Sequence, residues 1–497
     1  MKINRNTITT YIFILIVFTI SLLNFGSIRS ILSSKLTSEA IRSFSFNGSE
    51  VDSLFRTSIK NKNLYVDVYG LTQLALNKSM IGNFEFVKDK HGFMHMFQVD
   101  KVDETTADNF VKEIGKLKEL LDYKNIPLLY VQVPAKELEG YTGLEEGVVQ
   151  NSNEIMDVII EGSSTNNIQY LDVRDMIQEQ NYPYNEVYLK TDIHLTTGSE
   201  FWILQNIINE LESRFSLYFD NKNFILDKGN YNIVNKSMLG NLGRASGRFF
   251  TGLDNFELYY PNFTTDMVLN NYSNGLVKTG EFHNTVMNGY DSNDYNTYWV
   301  TNYLQWPSPY YNITNNNVKS NNILVLMDPM GLRTISYLSL MCNNVTILDP
   351  RYFNGAYYLE QALDSQSYDA VIVLQSTNLV YTNLVQKVLN AEIVSENTPT
   401  EILRDEKYNV NITVKNTSED NWTREKSIRL GIFQDGIDHG YRLDLPENIE
   451  ISPGETYTFT LYDFQAPPSD NTYIEYQMLR EGITYFGEKQ RVDIQVK

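Results

Sequence analysis

The sequence contains a single cysteine, Cys342. One thiol excludes intrachain disulfides and thiolate-rich zinc sites. Histidine is nearly as scarce, at five residues: His91, His95, His194, His283 and His439. His91 and His95 are four apart, but Gly92 follows the first where a zinc-protease motif needs glutamate. No metal and no cofactor is expected. Basic residues are also short in supply: 41 Lys and Arg against 61 Asp and Glu leave a net charge of −20. No cluster of Lys and Arg offsets that charge, so nucleic acid is excluded as a general partner. Apolar residues are plentiful, at 42% of 497, with 13% aromatic. That composition excludes a mainly disordered or collagen-like chain and is sufficient for two or three domains.

Lys2 and Arg5 precede an apolar run from Tyr11 to Leu23, which continues less strictly to Ile28. Roughly 18–20 helical residues just span a bilayer, and the positive flank would stay in the cytoplasm. A cleaved signal peptide has the same charged start and apolar core, but no Ala-x-Ala-like site follows the run. Both readings export the bulk of the chain, and residues 1–30 are taken as an uncleaved anchor. A cell-membrane location follows, single-pass, with the remainder extracytoplasmic.

Residues 31–62 are polar and mixed, as in a stalk. From about residue 63 to 393 apolar runs alternate with helical patterns. Asn125–Val133, Ile168–Val173, Ile323–Met327, Val345–Leu348 and Ala370–Leu374 read as buried strands. Val111–Tyr123, Ile155–Ile160, Glu200–Phe215 and Gly331–Leu340 read as helices. The fold class is therefore α/β, a mostly parallel sheet with helices on both faces. Residues 220–320 are rich in Asn and Tyr and read as an irregular insertion or lid. Beyond residue 394 the pattern changes to short alternating strands, at Tyr408–Val414, Ser427–Phe433, Thr456–Leu461 and Thr472–Leu479. This predicts a C-terminal all-β sandwich of about 100 residues.

One segment suggests chemistry: Tyr188-Leu189-Lys190-Thr191-Asp192-Ile193-His194-Leu195-Thr196-Thr197-Gly198-Ser199-Glu200. Thr197 and Glu200 have capping-box spacing at the start of a helix. Asp192 and His194 then sit on the loop before it, where the carboxylate can hold the imidazole tautomer and leave the other nitrogen as a base. By itself Asp-x-His is a weak signal, because aspartate is common just before helices.

The wider context resembles the alginate O-acetyltransferase, or SGNH-hydrolase-like, family and its relatives named for an Asp-His-His-Trp motif. The similarity runs over about residues 63–390 in ordered pieces. Tyr69–Gln73 resembles the family's entry segment, and Val133-Pro134-Ala135-Lys136 its Pro-x-Lys. Leu171–Asp175 precedes the Asp-His segment, and the Gly240-Asn241 turn follows it. Asp349-Pro350-Arg351-Tyr352-Phe353 resembles the Asp-x-Arg-Tyr behind the nucleophile helix. Ile193 and Leu195 depart from the family's His and Trp. The resemblance implies Asp192 and His194 as an acid–base dyad, with Lys136, Gly240, Asn241 and Arg351 as candidate substrate contacts.

The resemblance also implies a serine in a Gly-Asp-Ser turn after an apolar strand, attacking an acetyl donor and passing the group to a sugar hydroxyl. Here the turn reads Met327-Asp328-Pro329. Pro329 stands where the serine is expected and carries no nucleophilic group. Asp328 can cap the turn and Pro329 suits a first helical position. Ser336 and Ser339 lie roughly 10 Å or more along the helix, too far to substitute. Asp328 as nucleophile, or His194 acting directly on water or a hydroxyl, are the remaining catalytic alternatives.

The C-terminal region is similar to immunoglobulin-like sandwiches first described in autophagy receptors with four tryptophans, of which Trp422 is the one retained. Trp422 reads as a core anchor or a sugar platform. Many of the 34 tyrosines fall in the insertion (Tyr259, Tyr260, Tyr290, Tyr295, Tyr298, Tyr303, Tyr310, Tyr311), where they suit sugar stacking or simply fill loops. His91, His95, His283 and His439 show no carboxylate partner at an informative spacing, and Cys342 reads as buried and inert. The expected function is polysaccharide O-acetylation or deacetylation at the cell surface by a degenerate member that binds glycan or supports an acetylation assembly. The alternatives are an active transferase or esterase and an adhesive surface protein. Expected partners are a cell-surface polysaccharide, the membrane through the N-terminal helix, and a membrane-bound acyl-transfer protein.

Overall fold

The computed structural model describes nine residues between 11 and 26 and residues 61–497, except 83–84, 97–103, 139, 146–151, 290, 305–306, 354–357, 377–388, 419, 467–470 and 482–483. Most of the proposed anchor and almost all of the stalk therefore lie outside the described residues. Among the described residues no helix is long and apolar enough to cross a membrane.

The chain opens with helix α1 (Lys62–Ala75) and a small antiparallel sheet of β1 (Met80–Ile81), β2 (Phe86–Lys88) and β3 (Met94–Met96). Helix α2 (Glu104–Tyr123) leads into β4 (Leu128–Val133), and α3 (Ser152–Thr165) into β5 (Gln169–Asp172) and α4 (Val173–Glu179). Helix α5 (Thr197–Phe215) carries the dyad loop at its start. Then follow β6 (Tyr231–Met238), α6 (Asn241–Ser246), α7 (Arg248–Thr251), β7 (Asp254–Pro261), β8 (Met267–Asn271), β9 (Leu276–Gly280) and β10 (Tyr310–Asn315). Strands β11 (Asn322–Met327), β12 (Asn344–Leu348) and β13 (Ala370–Ser376), with helices α8 (Leu332–Leu338) and α9 (Tyr358–Ser365), complete the α/β region.

The main sheet runs β5-β4-β13-β11-β12-β10-β8-β9. Its first five strands are parallel, and each of β4, β11 and β13 is an almost unbroken apolar run because both faces are covered. Alternation divides their side chains. Leu129, Val131, Val325 and Ile372 face a core completed by α4, α5 and α8. Tyr130, Leu326, Val371 and Val373 face a second core completed by α2, α3 and α9.

Much of the 220–320 stretch is regular. Strands β6 and β7 form an antiparallel pair, and β10, β8 and β9 extend the main sheet antiparallel from the edge of β12. Asparagine is part of that extension: Asn312 donates to Thr346 Oγ1 across the β10–β12 pair at 3.1 Å. Tyrosine belongs to the core, with Tyr259, Tyr303, Tyr310 and Tyr311 buried; Tyr260, Tyr295 and Tyr298 are half-buried, and Tyr290 lies outside the described residues. Cys342 is buried as expected, and burial pushes its thiol up.

The C-terminal region is all-β. Strands β14 (Ala391–Glu396), β16 (Lys407–Asn416) and β21 (Thr456–Gln465) form one sheet. Strands β15 (Glu401–Ile402), β23 (Thr484–Val496), β22 (Asn471–Arg480), β18 (Ile428–Gln434) and β19 (Ile437–Asp444) form another, and β17 (Trp422–Thr423) pairs with β20 (Glu450–Ile451). Val410, Ile412, Leu430, Tyr476 and Ile494 share one core. Trp422 is fully buried in it, and its Nε1 donates to Ser418 Oγ at 2.9 Å. It is a core anchor, and its indole is not available to a sugar.

Candidate active site

The loop from Tyr188 to Leu195 closes on itself through a bridge between those two residues and a hydrogen bond from Leu189 N to His194 O at 3.1 Å. Within it, His194 Nδ1 stands 2.6 Å from Asp192 Oδ1. Asp192 is fully buried, and His194 is 7% exposed. Burial alone would raise the Asp192 carboxyl. Hydrogen bonds from the His194 ring, from Asn241 N at 2.7 Å and from His194 N at 3.1 Å outweigh it and hold the group well below the usual carboxylate range. An ionised Asp192 fixes the Nδ1–H tautomer and leaves Nε2 as the basic nitrogen. Tyr298 OH lies 3.3 Å from Nδ1. Because Nδ1 already donates to Asp192, it cannot also accept from that hydroxyl.

Several residues shape this loop without being chemical. Lys136, expected to contact substrate or to be solvated, is buried at 2% exposure. Its ammonium donates to the carbonyls of Leu189, Lys190 and Asp192 at 2.6, 3.0 and 2.8 Å. Burial pulls it down to about 8, against the upward pull of Asp254. It positions the loop, and its three donors are spent inside the fold. Asp254 accepts from Lys190 N, Thr191 N and Thr191 Oγ1 at 2.6, 2.9 and 2.5 Å. Gly240 packs so tightly that a Cβ would stand 2.5 Å from both Asp192 Cβ and Thr191 O. Asn241 meets the dyad through its backbone N–H.

The capping box departs from expectation. Thr196, one residue earlier, is the N-cap of α5 and accepts from Ser199 N at 3.1 Å. Glu200 instead turns inward to Arg333, and both side chains are fully buried. The Glu200 carboxylate also accepts from Arg333 N and Thr334 N at 3.0 and 2.9 Å, at the start of α8. Arg333 Nη2 donates to Leu195 O at 2.8 Å, one residue beyond His194. The dyad loop and the helix after the Pro329 turn are thereby locked together. A contact spanning 133 positions leaves no signal in the sequence.

At the end of β11, Asp328 caps a short 3₁₀ turn, Pro329–Gly331, accepting from Met330 N at 2.8 Å. Its other oxygen accepts from Ser376 N and Ser376 Oγ at 2.8 and 2.7 Å. Burial pushes its carboxyl up. Asp328 is thus occupied as a cap rather than presented as a nucleophile. Arg351 forms a fork with Asp349, Nη2 to Oδ2 at 2.6 Å, at the end of β12.

His95 corrects another expectation. It is fully buried between Glu137 Oε1, 3.2 Å from Nδ1, and Asp89 Oδ2, 3.3 Å from Nε2. Burial disfavours its charge, but the two carboxylates prevail and raise its pKa. Among the described residues no group of His, Cys, Asp and Glu is arranged to hold a metal ion.

Residues 93–201, from β3 through the dyad to the first turn of α5, match the family model described as an SGNH hydrolase-like domain, acetyltransferase AlgX. The chain thus resembles the alginate O-acetyltransferase and SGNH-hydrolase-like family on the segment that carries Asp192 and His194. No curated protein matches in sequence. Among solved structures, PatB1 of Bacillus cereus is 17% identical, over 59% of this chain and 96% of that one, at a TM-score of 0.49. A DHHW family protein from Eubacterium siraeum is 11% identical over 57% and 87%, at 0.44. The O-acetyltransferase domain of Pseudomonas putida AlgJ is 11% identical over 59% and 90%, at 0.34.

Proposed function

We propose that this protein acts in polysaccharide O-acetylation outside the cytoplasm, anchored by its N-terminal run, and that it binds glycan or supports an acetylation assembly without forming an acyl-enzyme. One observation carries the reading: Pro329 takes the first position of the capped turn after β11, where the family resemblance expects the serine. Acyl transfer through serine needs an oxygen that loses its proton to the histidine as it bonds the acyl carbon. Position 329 supplies no such oxygen, while Asp192 still orients His194. A dyad that keeps its alignment can hydrogen-bond a sugar hydroxyl through Nε2 without turnover.

Hydrolysis of p-nitrophenyl acetate tests this. The unaltered protein is expected to match His194→Ala, whereas Pro329→Ser gains hydrolysis that disappears when His194→Ala is added. Turnover by the unaltered protein that vanishes in His194→Ala would overturn the reading. It would favour the alternative in which Nε2 takes a proton directly from water or a sugar hydroxyl, for which the ionised Asp192 is the supporting observation.

A further inference from the structure

Helix α1 has its faces reversed. The residues it buries are Asp67, Gly70 and Gln73. Asp67 accepts from Arg248 N at 2.8 Å and pairs with the Arg248 guanidinium at 2.8 Å. Gly70 lies against α6 and α7, where a Cβ would stand 2.4 Å from Ser246 O. The outward strip is Leu64, Val68, Leu71 and Ala75, spaced along one face of the helix. Leu64, Val68 and Leu71 are 52%, 49% and 49% exposed. A helix on a globular protein turns its apolar stripe inward, so an outward one marks a face that a second apolar phase covers.

Two observations indicate which phase. In a chain of net charge −20, this helix exposes no carboxylate, because Asp67 faces Arg248. The exposed Lys62 and Lys78 stand at its start and just beyond its end. The described residues between 11 and 26 are helical, and Tyr11, Ile14, Leu15, Phe18, Leu22 and Phe25 expose their apolar side chains. That segment reaches α1, where Asn24 Nδ2 donates to Tyr65 OH at 3.2 Å. Two exposed apolar surfaces thus meet at one place, flanked by ammonium groups.

We propose that the outward face of α1 lies in the headgroup layer of a bilayer containing anionic lipid. Leu64, Val68 and Leu71 enter the apolar boundary, and Lys62 and Lys78 reach lipid phosphates. The contact does not depend on whether the dyad turns over. It sets the dyad's position, because α1 packs on α6, and the first residue of α6, Asn241, donates to Asp192. A glycan carried at the membrane surface would meet the site there.

The full chain in vesicles of phosphatidylglycerol and phosphatidylcholine, with nitroxide-bearing lipid as quencher, tests the contact. A fluorophore is placed at Leu71→Cys, at Val68→Cys, or at the control Tyr123→Cys, whose residue is 87% exposed on α2; buried Cys342 does not label. Quenching at 71 and 68 is expected to be about fivefold that at 123, given burial of the apolar face within the boundary layer, and to fall with Lys62→Glu and Lys78→Glu together. Equal quenching at all three positions overturns the proposal. Blue-shifted emission without quenching also overturns it, since a second copy or the chain's own N-terminal segment would then cover the face.

Discussion

Pro329 has no side-chain oxygen, and it begins a turn that Asp328 caps. Its missing N–H falls where a helical turn needs none, and Asp328 still satisfies Met330 N. Nearby positions are far less forgiving. Gly240→Ala would press a methyl group against Asp192 and Thr191. Overpacking of this kind costs about 1–3 kcal/mol, so the urea midpoint should fall and the Asn241–Asp192 contact should loosen. Glu200→Gln would leave the fully buried Arg333 without its counter-charge. Breaking a buried pair on one side costs about 3–5 kcal/mol, and the expected outcome is a large loss of stability by urea titration. A loss under about 1 kcal/mol would show that the pair is stabilised no better than a surface one.

Three of the parallel strands end in the same device. Asp172 at the end of β5, Asp328 after β11 and Asp349 after β12 each accept the N–H two residues on. At Asp172 and Asp349 an arginine in that position folds back as a fork. Met330 occupies it after Asp328, and Ser376 of β13 supplies the missing donors. The β2–β3 hairpin is held differently, through Asp89 and His95. Burial would raise Asp89, but hydrogen bonds from His95, Phe93 N and Gly143 N bring it down to about 2. Its folded pKa lies below the usual 3.8, so its contribution is complete above that value and is lost as pH falls toward about 2. His95 has the opposite sign, and its contribution is lost as pH rises through its raised folded pKa. Asp89→Asn should remove the part of the acid limb between about pH 4 and 2, measured as urea midpoint against pH.

Across the whole molecule, the α/β region and the C-terminal region have separate cores. Trp422→Ala removes a fully buried indole from the latter, at a cost of about 3–5 kcal/mol. Calorimetry should show one transition lowered and that of the α/β region unmoved. The parallel strands were legible in the sequence because covering both faces forces unbroken apolar runs, as in Ile323–Met327 and Ala370–Leu374. The Asp192-x-His194 pair and the Asp328-Pro329 turn were legible because their partners are near neighbours in the chain. Strands β8 and β10 were not, since Asn and Tyr interrupt their apolar runs and pairing with each other and, for β10, with β12 gives those residues their places. Lys136, His95 and the Glu200–Arg333 pair were also hidden, and for the same physical reason. A charge enters a protein interior only where opposite charges or carbonyls already surround it. Local spacing therefore determined the strands, the Asp192–His194 pair and the Asp328-capped turn. Which distant groups compensate each buried charge, and so hold the dyad in place, was decided by the tertiary structure alone.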